Sequence, residues 1–533
     1  MANLFGTYDK RIKLTVSNTN IDAELTWFPV TVFLTSTAGE EVFAEFDDDT
    51  DFDRVAFTTS DGSTQLYADC ELFDDSESKA IYHVSKTGWA ISNTGTTDFY
   101  MYYDDNAAHN MTYISKAGDS GTQYPTAYSD TYVKATSENG VAWHPYYATD
   151  PSTLVTGTWD YTGWLASSNT NQRFHIDLGS AKIIQRIYCE NQHTSGGSTT
   201  VGVKNFTFWG SNTASGTFDD LVYANDEGWT ELTVSTNVML EHSEADEADP
   251  QYITITNTTA YRYYAFKFAD NHTHASWMGV RHIGLQTTVA AQSVYDGNFK
   301  AVYHMNDATT STIYDSTSNN NDGTKKAANE PVEATGKVGQ AQDFDGSDDD
   351  IALPSLGTTD TLTIESIVKV DTFADELNKG IVASRTWVAG KVDFGYSMKG
   401  TATDKWKFQF DVYSELTPVS NKVDFALDTY YYLAGTYDKT GTSQKMYYND
   451  TLDRTITSGQ TWHTVSLTDL DIGDFLSGRY ANGIIDEVRI STNIRTAAWL
   501  KATYNSLYDT LLTYGSEETG GVVANAIFFG CNF

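Results

Sequence analysis

Leu362-Thr-Ile-Glu-Ser-Ile-Val-Lys-Val370 decides how the rest of this chain is read. Leu362, Ile364, Ser366, Val368 and Val370 form its longest alternating run, and a period of two is the mark of a strand with one buried face. Working outward, Ile12, Leu14 and Val16 alternate in the same way, as do Phe99, Met101 and Tyr103. Turn-forming clusters recur between such runs: Ser60-Asp-Gly-Ser63, Thr194-Ser-Gly-Gly-Ser198, Asn321-Asp-Gly323 and Asp438-Lys-Thr-Gly441. Many short strands with regular turns favour sandwiches or jelly rolls. One helix stands out from Arg495 onward, where Leu500, Tyr504, Leu507 and Leu511 recur at spacings of four, three and four, with Gly515 expected to close it. The expected fold class is therefore all-β, a multi-domain chain of β-sandwiches or jelly rolls with one C-terminal helix.

The chain has 533 residues, a formal net charge of −37 and 14% aromatic residues. At ~100–200 residues per domain this length implies several domains. The aromatic content excludes a disordered acidic tail. The charge argues against nucleic acid and against an anionic membrane surface, both of which need clustered Lys and Arg. It suits a saline milieu or an affinity for cations. Cys70, Cys189 and Cys531 lie far apart with no C-x-x-C pair, which gives neither a disulfide scaffold nor a zinc knuckle. Met1-Ala-Asn-Leu-Phe-Gly-Thr-Tyr-Asp-Lys10 carries no apolar run, so synthesis in a cytoplasm without a cleaved leader is expected. No stretch approaches the ~18 continuous apolar residues of a membrane span.

The sequence turns loop-like at Asp104-Asp-Asn-Ala-Ala-His109 and becomes small and polar over 287–292. The expected division is an N-terminal β-sandwich over 1–108, a middle unit over 109–291, a third unit over 292–514 and a tail over 515–533 with an apolar end at Val522, Val523, Ile527, Phe528, Phe529 and Phe533. That end is expected to pack on its own domain or on a partner subunit.

Three resemblances fit this division. Arg11-Ile-Lys-Leu-Thr-Val16, Trp27-Phe-Pro-Val-Thr-Val-Phe-Leu34, Phe57-Thr-Thr-Ser-Asp-Gly62 and Phe99-Tyr-Met-Tyr-Tyr103 resemble an all-β domain common in phage and bacterial surface proteins. In that family a laminin-G-like domain follows soon after. Here the continuation, Val294-Tyr-Asp-Gly-Asn-Phe-Lys-Ala-Val-Tyr-His-Met-Asn-Asp307, comes late, so the middle unit looks inserted into a contiguous pair. Arg173-Phe-His-Ile-Asp-Leu-Gly179, Phe206-Thr-Phe-Trp-Gly-Ser-Asn212, Tyr261-Arg-Tyr-Tyr-Ala-Phe-Lys-Phe268 and Trp277-Met-Gly-Val-Arg-His-Ile-Gly-Leu285 make the middle unit similar to a discoidin, or factor 5/8 C-type, domain. That resemblance implies an eight-stranded jelly roll whose loops at one end bind sugars in many members. Asp315-Ser-Thr-Ser-Asn-Asn-Asn-Asp-Gly-Thr324, Ala341-Gln-Asp-Phe-Asp-Gly-Ser-Asp-Asp349, Tyr432-Leu-Ala-Gly-Thr-Tyr-Asp438 and Gly483-Ile-Ile-Asp-Glu-Val-Arg-Ile490 match concanavalin-A-like laminin-G domains in the expected order.

Asp486 shares a parity with Ile484, Val488 and Ile490, so a carboxylate is expected on an aliphatic face. A buried charge must be paired, hydrogen-bonded or metal-bound. One reading makes Asp486 a calcium ligand together with Asp315, Asn319 and Asp322, since calcium takes about 6–8 oxygens. The other makes it an acceptor of backbone N–H groups from a neighbouring loop. The Asp343–Asp350 run reads as a solvated acidic turn. Carbohydrate sites combine aromatic faces with a few polar groups. In the middle unit the candidates are Trp143, His144, His193, His272, His274 and Trp277, with Trp164 expected in the core.

Catalytic signals fail. Ala107-Ala-His109 and Gly118-Asp-Ser-Gly121 stand at the wrong spacing for a serine protease. No G-x-S-x-G elbow, P-loop or H-E-x-x-H occurs. The expected function is a virion surface protein, without enzyme activity, reaching the exterior by lysis. It would be a capsid decoration, head fibre or tail fibre, multi-copy or homo-oligomeric, that contacts other virion proteins and displays modules for glycans. A bacterial adhesin and a polysaccharide-active enzyme are the alternatives.

Overall fold

The computed structural model describes residues 4–46, 48–110, 112–118, 121–213, 215–246, 248–257, 259–287, 293–309, 311–325, 330–372, 377–399, 402–413 and 418–520. The apolar end expected to pack, from Val522 to Phe533, lies outside them, as does Cys531. The described part is almost entirely β, and the chain divides into two units: residues 1–119 with 289–533, and residues 120–288. The N-terminal and third segments, expected as separate domains, thus form one unit on either side of the middle one.

Strand alternation explains the first sheet. Ile12, Leu14 and Val16 are fully enclosed on Lys10–Val16, and the strand order is Val30–Leu34, Lys79–Ser85, Gln65–Asp74, Val55–Thr59, Thr97–Tyr103, Lys10–Val16 and Leu512–Thr519. The last of these comes from the far end of the chain. The helix is shorter than its periodicity predicts: it spans Ala497–Leu507, with the Thr496 side chain accepting from the Trp499 N–H at its start. Asp509 turns left-handed (φ 55°), Leu511 is buried beyond the helix, and Gly515 lies within the strand that pairs with Lys10–Val16. A second, five-residue helix, Ser215–Asp219, is in the middle unit.

The third segment builds a two-sheet sandwich. One sheet runs Val332–Thr335, Gln340–Asp345, Asn482–Ser491, Thr361–Val370, Tyr430–Asp438, Ser443–Tyr448 and Thr451–Ile456, and the other centres on Lys379–Ser384, Val392–Lys399 and Ala402–Val412. Leu362, Ile364, Val368 and Val370 enter the core between them, with Trp406, Phe408 and Phe410, as the alternation predicts. Ile367 and Tyr432 point out of the other face of their sheet, into a cluster shared with the N-terminal sheet.

The parity expected at Asp486 is broken. Against Thr361–Val370 the register slips, the four residues from Asp486 to Arg489 spanning the three from Glu365 to Ile367, and Glu487 has φ 51°. This β-bulge inserts one residue and reverses the faces beyond it. Ile485, Val488 and Ile490 face the sandwich core. Asp486 and Glu487 therefore both leave it on the opposite side.

The middle unit is a jelly roll ordered Thr122–Gln123, Gly279–Gln286, Arg186–Asn191, Pro250–Thr256, Thr230–Val234, Phe206–Ser211, Tyr261–Phe268, Gln172–Lys182 and Val133–Ala135. Trp164 is fully buried in its core, edge-on to Phe174, with its indole N–H on the Ser137 carbonyl at 2.9 Å. No helix among the described residues is long and apolar enough to cross a membrane.

Candidate functional site

The middle unit's strands fix which loops share an end. Asn191 pairs with Val280, and Phe268 pairs with both Phe206 and Gln172. The connections over 136–171, 192–205 and 269–278 therefore leave from the same end, and they carry every aromatic and histidine candidate.

Buried Arg281 organises part of this end. Its Nη1 donates to the carbonyls of Gly157 (3.4 Å) and His193 (3.2 Å), and its Nη2 to those of Leu154 (3.1 Å) and Thr156 (2.7 Å). His193 is fully buried: Nε2 donates to the Val155 carbonyl at 2.6 Å, Nδ1 accepts the Gly196 N–H at 3.1 Å, and the ring stacks on His242 at 3.9 Å. Both ring nitrogens are thereby used within the protein, and burial holds the imidazole below its ordinary range. His272 is half-buried, with Nε2 2.9 Å from the Met239 carbonyl. His274 stacks on Trp277 at 5.2 Å and accepts the N–H groups of Ser276 and Trp277 on Nδ1. The amides of Asn169 and Asn271 hold the carbonyls of that turn. Trp143 lies edge-on to Trp159 at 6.4 Å, and His144 stacks on Tyr146 while Nδ1 meets Glu138 Oε2 at 2.8 Å. Tyr161, next to this group, is 55% exposed.

A concave site lies elsewhere on the same unit. Ile187, Cys189, Ile253, Ile283 and Leu285 point into the core, so their neighbours Tyr188, Tyr252, His282, Gly284 and Gln286 line the outer face. Tyr188 stands directly opposite Tyr252 on one side and Gly284 on the other. Gly284 presents no side chain, which leaves a floor, and the 151–155 loop with Thr122 and Tyr124 raises the walls of a recess of about 270 Å³. That is below the ~300–1,000 Å³ of drug-sized ligand sites, room for one sugar ring rather than a chain. His282 is 7% exposed, its Nδ1 is enclosed without a hydrogen-bond partner, and burial lowers its pKa to about 4. Tyr188 lies edge-on to both His282 (5.6 Å) and Tyr252 (5.5 Å) and donates its hydroxyl to Glu190 at 2.7 Å. The strand alternation that marks Ile187 and Ile283 as core also marks these residues as outward-facing, a signal that loop candidates do not carry.

The four oxygen ligands expected for calcium are distributed differently. The Asp315 carboxylate accepts from the N–H groups of Val302, Thr317 and Asn321 and from the Thr317 hydroxyl, at 2.8–3.0 Å. Asp322 accepts the Asp315 N–H, and the Asn319 amide donates to the carbonyls of Phe299 and Lys300. Asp486 accepts the N–H groups of Lys337 (2.8 Å) and Val338 (2.9 Å). Among the described residues Asp315, Asp322 and Asp486 do not converge on one point, whereas Asp345, Asp348 and Asp349 do, in the acidic turn.

Residues 345–501 match the family described as the concanavalin A-like lectin/glucanases superfamily. No curated protein matches the chain. Among solved structures, domain 4 of AbnA, a GH43 extracellular arabinanase from Geobacillus stearothermophilus, in complex with arabinotriose, is similar at 17% identity and a TM-score of 0.31, over 40% of this chain and 98% of that one. CpGH89CBM32-5 from Clostridium perfringens, in complex with GalNAc-β-1,3-galactose, is similar at 11% identity and a TM-score of 0.20, over 29% and 94%. A heptameric SAP-like pentraxin from Limulus polyphemus is similar at 14% identity and a TM-score of 0.27, over 32% and 93%.

Proposed function

We propose that this chain is a glycan-binding protein without catalytic activity, displayed on a virion surface as a capsid decoration or fibre. The recess of Tyr124, Tyr188, Tyr252, His282 and Gln286 carries the reading. Tyrosine faces offer C–H contacts to a sugar ring, and His282, Gln286 and Thr153 offer hydrogen bonds to its hydroxyls. The lectin-containing family matched by residues 345–501 supports it for the other unit. A shallow recess gives weak binding, and many copies on a particle would raise it by avidity.

A glycan array probed with the full chain tests the binding half, and Tyr252→Ala is expected to weaken the leading ligand at least tenfold. Binding that survives this change places the sugar elsewhere, the Trp277 loop being next in line. Calcium belongs to the proposal, and running the array with calcium and with chelator decides whether binding needs it. Mass spectrometry and imaging of purified particles test the virion half; a chain found on bacterial cells and not on particles makes it an adhesin.

A further inference from the structure

Within the first unit, five side chains gather where the Gln65–Asp74 and Lys79–Ser85 strands face the bulge of Asn482–Ser491. They are Asp69, Glu71, His83, His304 and Glu487, all 5% exposed or less. His304 directly follows the Phe299–Tyr303 strand, and the bulge turns Glu487 toward it. The two imidazoles stack 4.4 Å apart and 7° from parallel.

Each ring uses one nitrogen outward and one inward. His83 Nδ1 lies 3.1 Å from the Thr31 hydroxyl, and His304 Nε2 lies 2.9 Å from Asp69 Oδ2. The inward nitrogens converge on two carboxylate oxygens. His83 Nε2 is 2.8 Å from Glu71 Oε2 and 3.9 Å from Glu487 Oε1, and His304 Nδ1 is 3.6 Å and 2.5 Å from the same two atoms. The other oxygen of Glu487 is held by Arg489 Nη2 at 2.7 Å. Inward ligand atoms with outward partners that fix tautomer and orientation are how proteins hold a metal ion.

Charge points the same way. Asp69, Glu71, Glu365, Asp486 and Glu487 are all buried here, five carboxylates served by the guanidinium of Arg489, with that of Arg495 acting on Glu365. Glu71 Oε1 and Asp69 Oδ1 are wholly enclosed without a hydrogen-bond partner. Uncompensated buried carboxylates are costly, and a dication among them compensates two.

We propose that Glu71, His83, His304 and Glu487 bind one divalent transition-metal ion, zinc by preference, as a structural clamp between the N-terminal sheet and the laminin-like sheet. Zinc takes four nitrogen and oxygen ligands tetrahedrally at ~2.0–2.1 Å, which sets ligand–ligand edges of roughly 3.3 Å. The four nitrogen–oxygen separations, from 2.5 to 3.9 Å, straddle that length, and one of the two stacked imidazoles, 7° from parallel, must rotate out of the stack to aim both lone pairs at one ion. Four protein ligands leave no open position, which makes the site structural rather than catalytic. Paired imidazoles disfavour calcium and magnesium, which prefer all-oxygen sites.

The site is enclosed, so the ion enters as the chain folds. The full chain, expressed in zinc-supplemented medium and dialysed against metal-free buffer, is expected to hold about one zinc per molecule by elemental mass spectrometry. Refolded with cobalt(II), it should show the visible absorption of tetrahedral cobalt. Glu71→Gln keeps the side-chain shape but removes a charged ligand. It is expected to cut metal content at least tenfold and to lower the melting temperature. If the cluster is an ion network alone, Glu71→Gln removes a buried charge and leaves melting unchanged or raised. Less than a tenth of an equivalent of metal in the wild type, with melting indifferent to chelator during refolding, overturns the proposal, and this reading holds even if the variant fails to fold. None of these readouts involves a glycan, so the clamp and the recess stand or fall separately.

Discussion

A single buried ring can set the acid limit of a unit. His175 is fully enclosed in the middle unit, with Nδ1 2.9 Å from the Phe218 carbonyl and the Arg173 guanidinium 3.4 Å from Nε2. Burial first, and the neighbouring Arg173 charge after it, lower its pKa from 6.5 to about 4. The folded ring resists a proton that the unfolded chain accepts, so between those values the unfolded state binds more protons and stability rises with pH. The contribution is whole above pH 6.5 and is lost as pH falls toward 4. At 1.36 kcal/mol per unit the loss reaches roughly 3 kcal/mol. His175→Asn places its amide nitrogen where Nδ1 stands, so it can still donate to the Phe218 carbonyl and cannot titrate. Denaturant melts of residues 120–288 at pH 7 and pH 4.5 should therefore differ less for the variant than for the wild type. An unchanged difference assigns the acid sensitivity to another group, His282 being the other ring in this unit lowered to about 4.

At the scale of elements, the N-terminal sheet shows how its edges are managed. Val30–Leu34 is one edge and Leu512–Thr519 the other. The sheet curls so far that the Tyr514 hydroxyl accepts the Phe33 N–H at 3.0 Å and donates to the Phe33 carbonyl at 2.6 Å, while the Ser506 hydroxyl accepts the Thr31 N–H at 2.7 Å. Backbone groups of an open edge are thus satisfied by side chains from the chain's end, which also blocks pairing with another molecule. Tyr514→Phe removes two of these bonds and is expected to cost about 1–3 kcal/mol in denaturant unfolding, with more aggregation on heating; stability equal to wild type would show that water serves the edge equally well. The sequence made much of this legible. Period-two runs identified Lys10–Val16 and Thr361–Val370 and their buried faces, because alternation reports directly on which side meets the core. It could not report the bulge at Glu487, since one inserted residue leaves no compositional trace, and the faces of Asp486 and Val488 were read as shared for that reason. Nor could spacing reveal Glu71, His83, His304 and Glu487, which only folding brings together from distant parts of the chain.

At the scale of the whole molecule, the boundary between units is the feature that organises the rest. Thr122 pairs with Gln286, so the middle unit enters and leaves at adjacent points, as an inserted domain must. The segments that flank it share one compact unit. Phe28 meets Trp499 at 5.0 Å, Ile12 and Ile367 belong to one core cluster, and Leu512–Thr519 pairs with Lys10–Val16. Residues 1–119 alone would expose the half of that cluster which Tyr432, Trp499 and Leu500 cover, an apolar area whose solvation opposes folding. Replacing residues 120–288 by a short Gly-Ser linker is therefore expected to leave a chain that melts cooperatively at the temperature of the first unit in the full protein. Residues 120–288 expressed separately should fold and keep the glycan affinity of the recess, and residues 1–119 expressed separately should be insoluble or lack a cooperative transition. Circular dichroism melts of the three fragments check the folding, and the glycan array repeated with residues 120–288 checks the affinity. A cooperative transition in the isolated 1–119 segment would show that the N-terminal sheet closes its own core and that the shared cluster is an interface between independent folds.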